Sequence, residues 1–357
     1  MFNPKMLELA RQLRGFSKKY LAEKLSLSMQ TLSDWEQGKT KPKPENILEV
    51  SKILNFPIEF FYKDFENLEN LSMSFRALTK MKAIDRDKAI SNAKLAIILN
   101  NWIESNFNLP AVDLPLLENL SPEDAAKKLH NLWELDECIG DTINLLEKHG
   151  VRVYTLNEDC DDYDALSTWH NGIPYIFLNM KKSAERCRFD AIHELGHLIL
   201  HKTKTNKDKT IEDEANRFAS EFLMPEYSIY KYKNIIPNLE SFIRLKIQWK
   251  VSLKALIYRY NKLGLITEWS NRSLNIQMRK YGYDKNEPKS ISHEKSTILL
   301  KICRLLKEDN ISIRDIANDL KINVEDLNKL IFNMYSLSLV YGKNEHIKKE
   351  KPDLRLI

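Results

Sequence analysis

Through the first 66 residues, apolar side chains recur at helical spacing in four short bursts separated by polar turns. Met6, Leu7, Leu9, Ala10 and Leu13 mark a first helix that Gly15 ends. Ser17 caps a second, carrying Tyr20, Leu21, Ala22 and Leu25, and Ser28 caps a third with Leu32 and Trp35 inward. A polar loop, QGKTKPKP, leads to a fourth helix over Glu45 to Leu54. Two short helices joined by a tight turn predict a helix-turn-helix module, closed by the aromatic stretch FPIEFFYKDF. A longer helix is predicted from SFRALTKMKAIDRDKA through AKLAIILNNWIESNF, its face of Leu95, Ile98, Leu99 and Trp102 serving as an inter-helix or dimer seam. The proline-bearing stretch 109–120 reads as a surface strap, and helices follow over 121–133 and 143–149.

From residue 151 the period changes. VRVYTL, DALSTWH and IPYIFLN are rich in branched and aromatic residues, and Asn171-Gly172 between the last two predicts a hairpin, hence a small sheet in which IPYIFLN is either an edge open to an extended substrate or a fully paired strand. Helical spacing returns in RFDAIHELGHLIL (188–200), EDEANRFASEFLMP (212–225), Leu239 to Trp249 and Ser252 to Leu263, with Gly264 as a stop. SIRDIANDLKINVEDLNKLI reads as two short helices around a turn. Its Asp315, Asp319, Glu325 and Asp326 would repel phosphates, so it is expected to be a packing or oligomerisation unit. The charged tail, KNEHIKKEKPDLRLI, is expected to be mobile. The expected organisation is a multidomain, mainly α chain. It comprises an all-α helix-turn-helix domain (1–66), a helical connector (67–150), an α+β domain with a small sheet (151–288) and a helical C-terminal region (289–357).

The chemistry concentrates in the helix after the hairpin. His193 and His197 stand four residues apart and share a helix face, so their rings converge on one point where a zinc ion would sit about 2.0–2.1 Å from each nitrogen. Glu194 is the adjacent base, in an otherwise apolar helix whose dryness strengthens charge interactions. Gly196 allows a close neighbour. A third ligand is needed. Thr203 occupies the position where some zinc peptidases carry a histidine, and His201 lies roughly 12 Å from His193 along a straight helix. Glu212, Asp213, Glu214 and Glu221 qualify by type; spacing favours Glu212, because Asn216 one turn later can then fix a ligand imidazole, and Glu214 is the alternative. Otherwise Glu214 and Glu221 read as a solvated face. His170 can serve as an oxyanion donor or as a plain turn residue, and Arg186 and Arg188 are expected to pair with Glu185 and Asp190.

HELGH, preceded by ERCRFDAI and followed by EDEANRFASEFLMP, resembles the ImmA/IrrE family of zinc-dependent metallopeptidase domains, with similarity running from SFRALTK at 74–80 to NEP at 286–288. The resemblance implies a zincin-like fold, His193, His197 and Glu212 as zinc ligands, Glu194 as catalytic base, and a repressor or antitoxin as protein substrate. The first 66 residues, with SDWEQGKTKPKPENILEVSKIL as the telling phrase, resemble the lambda-repressor/Cro-like (XRE-type) domain, in which the third helix enters the major groove of double-stranded DNA. Met29, Gln30, Thr31 and Ser33 are then the candidate base readers, and Lys18, Lys19, Lys39, Lys41 and Lys43 the phosphate contacts. Lys18 stands where such domains often carry glutamine, and Met29 and Asp34 where basic residues are common. With only a slight excess of Lys and Arg over Asp and Glu in this domain, useful affinity is expected of a homodimer.

Composition adjusts this picture modestly. At 357 residues and 43% hydrophobic, the chain suits two or three globular domains, and its net charge of +5 permits nucleic acid without demanding it. No apolar run is long enough to span a membrane, and no signal-peptide core opens the chain, so a cytoplasmic location is expected. Cys138, Cys160, Cys187 and Cys303 form no CxxC pair and read as reduced thiols. The expected function is a DNA-binding regulator with a zinc-dependent peptidase that cleaves a partner regulatory protein. The alternative is a non-hydrolytic regulator that uses the peptidase fold as a sensor or dimerisation platform.

Overall fold

A computed structural model describes residues 1–65, 82–156, 164–203, 209–334 and Leu354. The chain forms two units, each assembled from separated segments: 1–110 with 154–163 and 296–357, and 111–153 with 164–295.

The first unit opens with α1 (Pro4–Leu13), α2 (Lys18–Lys24), α3 (Met29–Glu36) and α4 (Pro44–Leu54), followed by a 3-10 turn over Ile58–Tyr62. The predicted caps form: Ser17 accepts from the backbone of Tyr20, and Ser28 from that of Thr31. Leu7, Leu21, Leu32, Val50 and Phe60 fill the core, whereas Tyr20 points outward against Phe16. Arg11 in α1 and Glu36 in α3 form a buried two-bond pair that fixes the crossing of these helices. The long helix α5 (Ala83–Asn106) packs on α1, and Gln12 accepts from Ser91 across the seam. The start proposed for this helix, 74–81, lies outside the described residues.

The second unit begins with the strap, whose Leu117 N–H bonds Ile199 O, then α6 (Pro122–Leu132) and α7 (Thr142–Lys148). Gly150 follows α7 with φ +81°, and a Cβ there would lie 2.4 Å from Ala111 O in the strap. Gly150→Ala is therefore expected to cost about 2–4 kcal/mol, from the left-handed backbone and the clash together. A lowered denaturant midpoint would register this, and an unchanged midpoint would show that the strap yields freely.

Strands β1 (Arg152–Thr155), β2 (Ala165–His170) and β3 (Ile173–Leu178) form a sheet in the order β1-β3-β2. β2 and β3 make the expected antiparallel hairpin at Asn171-Gly172, pairing His170 with Ile173 and Ala165 with Leu178. Of the two readings of IPYIFLN, the edge strand is overturned and the fully paired strand holds, because β3 occupies the middle. Its uninterrupted apolar run suits a strand flanked on both sides, and a hairpin signal says nothing about where a third strand adds. Helix α8 (Ala184–Leu200) packs on β2 and β3, and α9 (Lys209–Leu223) packs on α8 and α6. The single turn α10 (Glu226–Ile229) and helices α11 (Leu239–Trp249), α12 (Leu253–Lys262) and α13 (Glu268–Lys280) complete the unit. Lys246 of α11 is wholly buried against Glu185 at the start of α8.

The chain then returns to the first unit as α14 (Thr297–Glu308), α15 (Ile313–Leu320) and α16 (Val324–Leu330). α15 and α16 pack on α5, which gives the Leu95, Ile98 and Leu99 face partners within the unit. Asp326 of α16 receives two 2.7 Å bonds from Arg14 of α1, so at least one acidic residue of this pair makes a packing contact. Apart from Leu354, the tail beyond residue 334 lies outside the described residues.

Candidate metal centre and nucleic-acid face

Ser183 caps α8, accepting from Arg186 N, and the helix then runs without interruption through both histidines. A Cβ at Gly196 would come within 3.0 Å of the Phe218 ring, so the glycine lets α9 approach α8 closely. This approach lays Glu212 beside the histidine face. His193 Nε2 and His197 Nε2 are 3.1 Å apart, and each lies 3.4 Å from a Glu212 oxygen. Among the described residues these three form the cluster whose ligand atoms converge.

The triangle can be tested against an ion. Donors about 2.0–2.1 Å from a tetrahedral zinc ion lie about 3.3 Å from one another; here the two Nε2 atoms are 3.1 Å apart, and each lies 3.4 Å from a different oxygen of the Glu212 carboxylate. Two imidazoles and one carboxylate are also a donor set that zinc accepts, with a fourth direction left for a small molecule. The side chains therefore fit the ion. Behind His193, the Asn216 carbonyl oxygen lies 3.1 Å from Nδ1 and can accept its proton, which with a metal bound would leave Nε2 free to ligate. Burial opposes a charge on His193, but the hydrogen bond to Glu212 and the fields of Glu194, Glu212 and Asp190 outweigh it and raise the pKa. Hydrogen bonds from both histidines hold the Glu212 carboxyl well below the usual carboxylate range.

Glu194 is buried, and its carboxylate accepts a 2.5 Å bond from Ser167 of β2. Nothing local to Ser167 in the sequence points to this role; the sheet supplies it. The remaining acidic candidates separate. Asp213 is exposed near Arg217, Glu214 bonds His201, and Glu221 is buried against Arg259. The solvated reading of Glu214 and Glu221 is thereby corrected: α9 is covered on these sides by His201 and α12. His170 is buried and meets Tyr175 edge-on. Arg186 pairs with Asp190 and Asp164, whereas Arg188 reaches Glu294 and the carbonyls of Ile139 and Gly140, so Glu185 is left to Lys246. Burial pushes Asp190 up to about 7 despite Arg186. It also pushes the Cys187 thiol up to about 12. Cys138, Cys187 and Cys303 are free, and Cys160 lies outside the described residues.

On the first unit, Met29 and Gln30 stand exposed at the start of α3, and Thr31 and Ser33 are half-buried. Gln30 donates to Asp34, Thr31 shares a hydrogen bond with Ser28, and Ser33 accepts from Gln37. Lys41 is exposed, Lys39 lies 3.9 Å from Asp34, and Lys18 is engaged by Glu36 at 3.2 Å.

Comparison with known proteins finds matches over two separate stretches of the chain. Residues 7–61 match the helix-turn-helix family model, and residues 146–261 match the IrrE N-terminal-like domain. The chain joins a helix-turn-helix domain to an IrrE N-terminal-like domain of the peptidase type. It is similar to the metallopeptidase ImmA of Bacillus subtilis, 24% identical over 141 residues, covering 37% of this chain and 80% of that protein. It is also similar to HTH-type transcriptional regulators of Sinorhizobium medicae and Rhizobium meliloti, 31% identical over 58 residues in each case. Those matches cover 16% of this chain and 42% of each regulator, so the chain spans less than half their length. Among the described residues no helix is long and apolar enough to cross a membrane.

Proposed function

We propose that this protein is a DNA-binding regulator whose second unit hydrolyses a peptide bond in a partner regulatory protein, such as a repressor or antitoxin. The observation that carries the reading is the triangle of His193 Nε2, His197 Nε2 and the Glu212 carboxylate, with Glu194 buried beside it and oriented by Ser167. His193, His197 and Glu212 would hold zinc, which when bound supplies a Lewis acid that acidifies water and polarises a carbonyl. Glu194 then accepts the proton of the attacking water and returns it to the leaving amine. Ser167 keeps that carboxylate from rotating away, and the apolar side of α8 excludes competing solvent.

The first unit directs where this happens. Met29, Gln30, Thr31 and Ser33 present the start of α3 to base edges, with Gln30 suited to an adenine, and Lys39 and Lys41 face phosphate. Lys18, held by Glu36, contributes less free charge. A homodimer in the cytoplasm is the form in which such a face binds an operator usefully.

The test is to incubate the purified full-length protein with the products of its flanking genes, with zinc and after chelation. Zinc-dependent cleavage of one of them is the expected result. Stoichiometric zinc without cleavage of any would instead favour the platform role.

A further inference from the structure

His197 is held from behind by two residues that take no part in the triangle. Its Nδ1 lies 3.0 Å from His201 Nδ1, and His201 Nε2 lies 2.8 Å from Glu214 Oε2. The His201 side chain is 1% exposed, so its hydrogen-bonding atoms must find partners within the protein.

The proton positions follow from donor and acceptor rules. An ionised carboxylate only accepts, so His201 Nε2 carries a proton and donates it to Glu214. The other nitrogen of a neutral His201 is then a bare acceptor, and it receives the N–H of His197 Nδ1. With a metal bound, His197 then offers it the lone pair of Nε2, the atom that faces His193 and Glu212. Chain geometry explains how His201 reaches this place. α8 ends at Leu200, and His201 leaves the helix at φ −133° while its N–H still bonds His197 O at 3.1 Å. Four residues on from His197, it stands one turn behind that ring, so it supports the ligand and does not join it.

We propose that Glu214 and His201 form a hydrogen-bond relay that holds His197 in its metal-ligating tautomer and orientation, making both of them positioning residues for the zinc centre. The inference rests on the zinc reading above. It also distinguishes the two imidazoles: His193 is backed by the exposed neutral amide of Asn216, whereas His197 is backed by a buried ring that ends on a carboxylate. A carboxylate terminus raises the basicity of the ligand imidazole more than an amide does.

The test measures zinc affinity of the full-length protein by competition with a chelator, with the visible absorption of the Co(II) form as a report on ligand field. Glu214→Ala and His201→Ala are each expected to weaken zinc about 10–100-fold, and the double variant to be no weaker than the worse single one. His201→Gln, whose amide can accept from His197 and donate to Glu214, should recover most of the affinity and return the Co(II) band toward that of the wild type. Thermal unfolding of the metal-free variants separates this from general destabilisation. Because the Glu214 side chain is 31% exposed, its truncation removes little packing and remains informative where His201→Ala does not fold. Wild-type affinity in Glu214→Ala, or losses that multiply in the double variant, would overturn the relay while leaving the zinc reading intact. A wild-type protein that binds no zinc would overturn both.

Discussion

Glu194→Gln is expected to keep zinc at the wild-type level while lowering the cleavage rate at least about 100-fold, the lower end of what a positioned general base contributes. Gln preserves the side-chain volume, and its carbonyl oxygen can accept the Ser167 hydroxyl as Glu194 does now at 2.5 Å. The packing of α8 on β2 should therefore survive. What disappears is the ability to take a proton from water, because an amide nitrogen is already protonated and its oxygen is a weak base. None of the three converging ligand atoms belongs to residue 194, so metal content by elemental analysis should not move. Single-turnover cleavage is the appropriate measurement, since it separates the chemical step from product release. A variant that still cleaved within a few-fold of the wild type would sink the assignment of Glu194 as base.

Lys246→Met is expected to destabilise the second unit by about 3–5 kcal/mol, the usual cost of removing one partner from a buried ion pair. The ammonium group is fully buried and donates to Glu185 Oε1 at 2.8 Å and Pro288 O at 3.0 Å, with Glu287 at 3.1 Å. Ser290 and Ile291 also donate to Glu185. These bonds fasten the 287–291 segment to the start of α8, the helix that carries His193 and His197. Removing the ammonium leaves the Glu185 carboxylate buried without a counter-charge. Burial alone would raise the Glu185 pKa, but the Lys246 and backbone hydrogen bonds more than offset it and lower it. A carboxyl whose folded pKa is depressed stabilises above its unfolded pKa and loses that contribution as pH falls through the folded value. The deficit of Lys246→Met should accordingly be largest near neutral pH and narrow in acid, where Glu185 becomes protonated. Adding Glu185→Leu should restore part of the loss. Urea midpoints of the two variants at neutral and acid pH measure this, and a single-variant loss below about 1 kcal/mol would show that the carboxylate is resolvated locally.

The sequence by itself determined whatever depends on neighbours a few residues apart. The caps at Ser17 and Ser28, the hairpin at Asn171-Gly172, the single helix face shared by His193 and His197, and the resemblance carried by HELGH all follow from spacing and residue type. The tertiary structure decided whatever depends on how elements meet. Glu212, Glu214 and Glu221 are chemically alike within ten residues. Their roles diverge because Gly196 admits Phe218 and so sets the height of α9 against α8, bringing Glu212 to the histidines, Glu214 to His201 and Glu221 to Arg259. The central place of β3, the hydroxyl that Ser167 offers to Glu194 and the burial of Lys246 against Glu185 are long-range pairings of the same kind. Periodicity reports which face of an element is buried; it carries no information about which other element covers that face, and in this site the covering elements bring Glu212 to the two histidines and the Ser167 hydroxyl to Glu194.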